Sequence, residues 1–500
     1  MFFAASAFFA ASESFVAKSI QELAMLFAGI DVGTQGVRVM VADVAGAVVA
    51  RASAPLITHT HPDGRVEQNP TEWWTAACSC LRQVTQTLGV QAERIAALAV
   101  TATSGTICLL DAQGQPLGPA IMYRDQRALA EANELNQCAV ELRERLGYRF
   151  DASFGLPKLL WLQRHARAEL AVARYVAHAA DVIVGGLCGD YGTSDWSHAL
   201  KSGYDLLNLD WPRDLLANLD LPVAKLPRVV APTTPIGPIT PVAALSTGLP
   251  RSTLVVAGMS DGCAAQIAGG AVQPGQWLSV LGTTLVFKGV SADLPHDPQG
   301  RVYAHRHPEG HWLPGAASST GGAALAARFP NADLAALDAQ ALVRSPGIAI
   351  CYPLQGQGER FPFVAPQARG FLIGANADDP VAEYTAILEG VAYLERLAYA
   401  TFRQLGYAVV GPIRAAGGGA RSPVWLQLRA DILGETLVVP AEVEAAFGAA
   451  IIAAAALAYP GLSAATQAMS HLRHEVAPRP DAERYTEPYR RFLVALEEYT

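Results

Sequence analysis

Phe27-Ala28-Gly29-Ile30-Asp31-Val32-Gly33-Thr34 is a short apolar run that ends in a carboxylate and a tight turn. Ser279-Val280-Leu281-Gly282-Thr283-Thr284 repeats the strand and the turn without the acid. Read as buried strands, both runs deliver a Gly-Thr turn whose backbone N–H groups and hydroxyl point outward, where they favour an anion. Either copy alone fits an ordinary strand-to-hairpin turn. One copy in each half of the chain predicts an α/β protein of two domains, with a polyphosphate gripped from both sides.

The chain has 500 residues, more than one hydrophobic core serves, so two domains of roughly 200–250 residues are expected. We place an extension outside the fold at 1–25, a first domain at 26–250, a second at 251–480 and a helical tail at 481–500. The crossing falls in the proline- and threonine-rich stretch between Pro227 and Pro250. A hydrophobic content of 51% with 16% charged residues describes a well-cored chain and excludes disorder. Net charge is −8, which leaves no basic surface for a nucleic-acid backbone. The seven cysteines are scattered and form no C-x-x-C pair, so a reducing, cytoplasmic setting is expected and zinc is not. No apolar run reaches the length of a membrane span. The first two dozen residues lack the positive charge that precedes a signal peptide's apolar segment; an organelle address is the alternative to a plain extension. The molecule is expected to be a monomer or homodimer.

Periodicity predicts strands at Phe27–Asp31 and Val37–Asp43, with a hairpin turn at Ala45-Gly46. A helix capped near Thr71 follows, then a strand Ile95–Val100, a polar turn Thr101–Thr106 and a strand from Ile107. Helical periodicity dominates from Arg127 to about Leu187. A second α/β region opens at Leu254–Ala257 and runs to about Pro460, and Ala445–Ala458 reads as a buried core helix.

Asp31 ends a strand, where acids of α/β folds meet ligands. It is a candidate anchor for Mg²⁺, which takes carboxylate, phosphate oxygens and retained waters; the bland reading is a solvated strand-end acid. Gly258-Met259-Ser260-Asp261-Gly262 admits two functional readings. It matches G-x-S-x-G, with Ser260 as nucleophile and His305 or His307 as downstream partners. Alternatively Asp261 accepts the proton of an attacking hydroxyl in phosphoryl transfer. A Ser-Asp pair that only caps a helix is the plain alternative. Gly417-Gly418-Gly419-Ala420-Arg421-Ser422-Pro423 lets the backbone lie against a flat ligand and opens a helix, with Ser422 suited to the cap. Ser319-Thr320-Gly321-Gly322 is another candidate nucleotide-lining turn. Neither G-x-x-x-x-G-K-[ST] nor G-x-G-x-x-G is present. Thr103-Ser104-Gly105, Tyr123-Arg124-Asp125-Gln126-Arg127 and Asp195-Trp196-Ser197-His198 offer the donors and acceptors a polyhydroxylated substrate needs, with Lys201 as a further cation.

Gly29-Ile30-Asp31-Val32-Gly33-Thr34, Lys158-x-x-Trp161, Asp261 before its helix, Leu281-Gly282-Thr283-Thr284 and Gly417-Gly418-Gly419-Ala420 occur in one order. Together they resemble the FGGY family of carbohydrate kinases, over nearly the whole chain after Met25. The resemblance implies two ribonuclease-H-like domains of the actin-like ATPase type, with ATP and sugar in the cleft between them. It implies Asp261 as general base and Asp31, with Thr34, as the group that handles magnesium and phosphate. The expected sugar contacts are Asp31, Thr34, Thr103, Ser104, Gly105, Asp125, Asp195, Ser260 and Asp261. The expected ATP contacts are Gly33, Thr34, Gly282, Thr283, Thr284, Gly321, Gly322, Gly418, Gly419 and Ser422.

Within the family, Thr103-Ser104-Gly105-Thr106, His198-Ala199-Leu200-Lys201-Ser202-Gly203-Tyr204, Tyr352-Pro353-Leu354 with Gly358-Glu359-Arg360-Phe361-Pro362, and Glu444-Ala445-Ala446-Phe447-Gly448 resemble plant and cyanobacterial D-ribulose kinases. Typical xylulose kinases carry Met-His-Gly where this chain has Thr103-Ser104-Gly105. The expected activity is ATP-dependent phosphorylation of a ketopentose at its terminal 5-hydroxyl, D-ribulose before D-xylulose. A serine hydrolase using Ser260 and a non-catalytic sugar- or nucleotide-binding protein are the alternatives.

Overall fold

The computed structural model describes residues 25–376 and 378–499, so residues 1–24 of the expected extension lie outside it. The chain forms two compact units. The first takes the described residues up to Arg145, then Arg149–Ala268 and Glu442–His471; the second takes Leu146–Tyr148, Gly269–Ala441 and the described residues from Leu472.

The first unit is built on a six-stranded sheet in the order Pro235–Pro238, Leu254–Val256, Ile95–Ala102, Leu26–Val32, Gly36–Asp43, Val48–Pro55. Leu26–Val32 is buried along its whole length, and its two faces have different work. Leu26, Ala28, Ile30 and Val32 join a core with Trp73, Leu81, Val84 and Ile183. Gly29, on the other face, meets the helix Ala445–Leu457. A Cβ on Gly29 would stand 1.9 Å from the Ala446 carbonyl oxygen and 2.5 Å from the Ala450 nitrogen. Strand and helix therefore touch backbone to backbone. The same helix presents Gly448 to helix Asp261–Ala268, where a Cβ would stand 1.9 Å from the Ala264 carbonyl oxygen. This close approach on both sides accounts for the alanine-rich, all-round apolar sequence of Ala445–Leu457.

The second unit repeats the plan. Trp277–Leu281 and Leu285–Gly289 form a tight antiparallel hairpin, Ile413–Ala416 lies parallel to Trp277–Leu281, and Leu437–Pro440 lies parallel to Ile413–Ala416. Tyr303–Arg306, Trp312–Ala317 and Leu472–Val476 complete a seven-stranded sheet. Its core gathers Trp277, Phe287, Tyr399 and Phe402, and the final helix Thr486–Tyr499 buries Phe492 and Leu496 against it. Inside this core Arg429 pairs in bidentate fashion with Glu395, while Ser279 donates to the same carboxylate at 2.6 Å.

By contacts, the division differs from the expected 250/251 and 480/481 boundaries. Pro235–Pro238, inside the stretch read as a crossing, is an edge strand of the first sheet, antiparallel to Leu254–Val256, a position that tolerates proline. Leu254–Val256 in turn pairs in parallel with Ile95–Ala102, so Asp261 belongs to the first unit. The segment Glu442–His471 returns there through the glycine contacts just described. A four-residue strand, Tyr175–His178, interrupts the stretch read as helical and pairs with Ile107–Leu110. The helix Pro70–Leu88 is capped by Asn69, two residues before the expected Thr71.

Gly29→Ala forces one methyl into backbone atoms and should cost about 3 kcal/mol. Urea unfolding should show a lowered midpoint with an unchanged slope; an unchanged midpoint would contradict the contact.

Candidate functional site

In the first unit, the ends of Leu26–Val32 and Ile95–Ala102 lead into a cavity of about 460 Å³, lined by Asp31, Gly33, Thr34, Arg38, Thr103, Tyr123 and Asp261 among others. Asp31 is 5% exposed. Arg38 Nη1 donates to its Oδ2 at 3.3 Å, while Oδ1 is buried with no hydrogen-bond partner. Burial first, and the charge of Asp261 second, raise the Asp31 pKa to about 7 against the opposing pull of Arg38. Among the described residues no group of three or more His, Cys, Asp or Glu side chains could hold a metal by itself. A buried carboxylate oxygen without a partner, beside a second acid, fits Mg²⁺, which binds through one or two carboxylates and completes its shell with phosphate oxygens and water.

Asp261 begins helix Asp261–Ala268 and accepts from the Gly262 N–H at 2.7 Å. The approach to it is tight. Gly258 has φ +85°, and a Cβ there would stand 1.8 Å from the Val100 carbonyl oxygen. Ser260 then bridges in parallel to Ala102. A half-buried carboxylate at a helix start, facing a polar cavity, can take a proton from an alcohol. The Thr34 turn is held by its carbonyl, which accepts from Thr58 Oγ1 at 3.0 Å and Gln68 Nε2 at 2.8 Å. Gly33 N–H closes the same turn on the Gly36 carbonyl at 3.0 Å, so it is not the outward donor that was expected.

Two of the expected sugar contacts are buried and hydrogen-bonded within the protein. Asp125 is fully buried and receives Val66 N–H, Arg127 N–H and the Arg127 guanidinium. Asp195 is 1% exposed; Oδ1 receives the Ser197 N–H and hydroxyl, and Oδ2 pairs with His198 Nδ1. Ser197 Oγ accepts from Ser260 N–H at 2.7 Å, and His198 Nε2 donates to the Ala102 carbonyl at 3.2 Å. Asp195 thus ties together the two chain segments that carry Thr103 and Asp261. Ser260, 2% exposed, is part of that tie. Ser104 Oγ is buried without a partner, and Gly105 has φ +83° with Ser153 O in the way of any Cβ.

In the second unit three glycine turns meet around Leu281. Gly322 N–H donates to Gly282 O at 2.8 Å and Ala323 N–H to Thr283 O at 3.1 Å. A Cβ on Gly321 would stand 2.6 Å from Thr284 backbone atoms, and one on Gly419 2.4 Å from the Leu281 side chain. Thr283 and Gly418 are exposed, and nothing lies within 4 Å of a Cβ on Gly418. Ser422 caps helix Pro423–Leu433 by accepting from Trp425 N–H, and its hydroxyl donates to Asp338 at 2.6 Å; its hydroxyl is therefore already engaged.

Residues 26–268 match the N-terminal domain, and residues 278–457 the C-terminal domain, of the FGGY family of carbohydrate kinases. The chain belongs to this family. It is 32% identical to the xylulose kinase of Streptomyces rubiginosus over 86% of this chain and 88% of that one. It is 30% identical to the xylulose kinase of Escherichia coli K12 over 92% of this chain and 96% of that one. The crystal structure of the xylulose kinase from Rhodospirillum rubrum superposes with a TM-score of 0.84 at 29% identity, covering 95% and 98% of the two chains.

This FGGY protein is a sugar kinase with ATP as co-substrate, on the actin-like ATPase fold. The hydrolase and non-catalytic readings are thereby set aside. His198, the imidazole hydrogen-bonded into the network beneath Ser260, is committed to Asp195 and Ala102. His305 and His307 sit at the sheet edge of the second unit, where His307 Nδ1 accepts from Glu309 N–H. Arg38 escaped the sequence reading, although a signal existed: counting the hairpin register places Arg38 directly opposite Asp31. Lys158 and Trp161 act as supports. The Lys158 amine donates to the Ala152 and Phe154 carbonyls, and Trp161 lies under the Arg127 guanidinium at 5.1 Å.

The buried pair beneath the kinase site carries a pH signature. Burial alone would lower the His198 pKa, but the charge of Asp195 and its hydrogen bond raise it from 6.5 to about 9. Burial likewise opposes ionisation of Asp195, yet His198 and Ser197 hold its pKa below the usual value. The contribution of His198 is therefore complete below pH 6.5 and lost as pH rises through 9. In urea unfolding between pH 6 and 10, the stability advantage of the native protein over His198→Gln should shrink across this window. A constant difference would contradict a charged His198.

Proposed function

We propose that this kinase transfers the γ-phosphoryl group of ATP to the terminal 5-hydroxyl of a ketopentose, D-ribulose before D-xylulose. The observation that carries the reading is the cavity in which Asp31 and Asp261 lie beside Thr103 and Tyr123. Asp261 hydrogen-bonds the 5-hydroxyl and takes its proton as the sugar oxygen bonds to the γ-phosphorus, and ADP leaves with the bridging oxygen. A loose transition state leaves little covalent work for the protein, so positioning and charge neutralisation supply most of the rate. Asp31, with its unpartnered Oδ1, would hold Mg²⁺, which when bound neutralises phosphate charge. The turns at Gly282-Thr283-Thr284, Gly321-Gly322 and Gly418-Gly419 hold the nucleotide.

The ketopentose assignment draws on the xylulose kinases among the relatives. Placing D-ribulose first draws on Thr103-Ser104-Gly105, where the Ser104 hydroxyl is buried with no hydrogen-bond partner in the protein, next to Thr103 of the cavity wall. The two sugars differ only in configuration at C3, so one well-placed hydroxyl suffices to rank them. ADP release measured with D-ribulose, D-xylulose, L-ribulose and glycerol should give the highest kcat/KM with D-ribulose and the next with D-xylulose. Ser104→Ala should narrow the gap between these two by roughly tenfold. Faster turnover of D-xylulose would overturn the ranking, and faster turnover of glycerol would overturn the ketopentose.

A further inference from the structure

Glu359 ends the strand Ile350–Glu359, in the stretch Gly358-Glu359-Arg360-Phe361-Pro362 that the proposed chemistry leaves unused. Its side chain is 3% exposed, and five donors converge on it. Oε2 accepts from the hydroxyls of Ser318 at 2.8 Å, Thr320 at 3.0 Å and Tyr352 at 2.9 Å. Oε1 accepts from Ser319 N–H at 2.6 Å and Arg360 N–H at 2.9 Å. A carboxylate offers about four lone-pair sites, so this one is saturated and has nothing left for a ligand. Its role has to be exerted through its partners.

Three of those donors belong to Ser318-Ser319-Thr320, immediately before Gly321-Gly322. Ser318 Oγ also accepts from Thr320 N–H at 2.9 Å, which closes the segment on itself. Its backbone then pairs with the other turn: Ser318 N–H donates to Leu285 O and Leu285 N–H to Thr320 O, both at 2.9 Å. Beyond this pairing come the Gly322-to-Gly282 and Ala323-to-Thr283 hydrogen bonds and the tight seat of Gly321 on Thr284. The carboxylate thus stands at the head of a continuous run of hydrogen bonds that ends in the exposed Thr283 turn.

We propose that Glu359 is a positioning residue for ATP: it fixes the Ser318–Thr320 segment and thereby presets the paired turns at Gly282-Thr283-Thr284 and Gly321-Gly322. This rests on the nucleotide site proposed above. A preset turn binds phosphate without first ordering itself, so the acid sets nucleotide affinity without touching the nucleotide.

The test is titration calorimetry of the full chain with ATP and, separately, with the preferred sugar. Glu359→Ala should weaken ATP binding roughly 10- to 100-fold, the effect of stranding several buried donors, and leave sugar affinity within about twofold. Glu359→Gln should recover most of the loss, because its amide oxygen still accepts the two N–H groups and its NH₂ can donate to two of the three hydroxyls once they rotate. Glu389 is an equally buried acid, bound to Ser345 and Gly347, so Glu389→Gln reports the effect of disturbing a carboxylate elsewhere in the unit and should leave ATP affinity unchanged. If Glu359→Ala does not fold, Tyr352→Phe removes one donor and should weaken ATP binding about threefold. Equal loss of ATP and sugar affinity, no loss of ATP affinity, or no recovery with Gln overturns the proposal. Gly418→Glu, a change into open space, tests the nucleotide site separately. Unaltered ATP binding there defeats the site itself, whereas loss there with an unaffected Glu359→Ala defeats only the role of Glu359.

Discussion

Asp31 is an acid whose Oδ1 has been taken out of water and given no protein partner, with a second acid close enough to oppose its ionisation. Left alone, such a group costs free energy, and only Arg38 offsets part of that cost. The first unit is organised to keep this arrangement in place. The fully buried strand Leu26–Val32 carries Asp31 to its end, and Ile95–Ala102 lies in register beside it with Asp31 opposite Thr101. Helix Ala445–Leu457 closes onto the strand at Gly29 and onto the Asp261 helix at Gly448. In the proposed reaction, a ligand set rich in phosphate and hydroxyl groups, with the divalent cation proposed for Asp31, would supply what the isolated pocket lacks.

The two units use one plan for two purposes. In each, a tight hairpin is followed by strands added in parallel, and the turn lies at the end of a buried strand. In the first unit the strand delivers a carboxylate, and a buried network of Asp195, Ser197 and His198 holds the neighbouring segments at Ala102 and Ser260. In the second the strand delivers no acid, and a buried acid, Glu359, lies behind the turn with three of the five hydrogen bonds it accepts coming from the segment that leads into it. Charge faces the cavity in one case and supports the backbone in the other.

Much of this was legible in the sequence. The paired Gly-Thr turns, the strand before Asp31, the helix capped by Ser422 and the buried Ala445 helix follow from local pattern, because burial and capping leave periodic marks. Asp125 and Asp195 were read as substrate contacts because a polar cluster reads the same whether it faces a substrate or satisfies buried backbone; only the folded chain shows the hydrogen bonds in which both are engaged. The division by contacts departs from the expected boundary at 250 for another reason: nothing local in Pro235–Pro238 reveals that it closes the edge of an earlier sheet. Nor does anything local show that Glu442–His471 returns to the first unit. The Ser318–Glu359 contacts span about forty residues and leave no periodic trace, so only the folded chain discloses them.

In the proposed reaction Asp261 is the group that takes the proton from the sugar. Rapid-quench single turnover with saturating ATP and sugar measures that step directly, and calorimetry checks that ATP still binds. For Asp261→Asn, ATP affinity should be unchanged and the phosphoryl-transfer rate lowered by roughly 10²- to 10⁴-fold. A transfer rate within about tenfold of the native protein, with ATP bound normally, would contradict it.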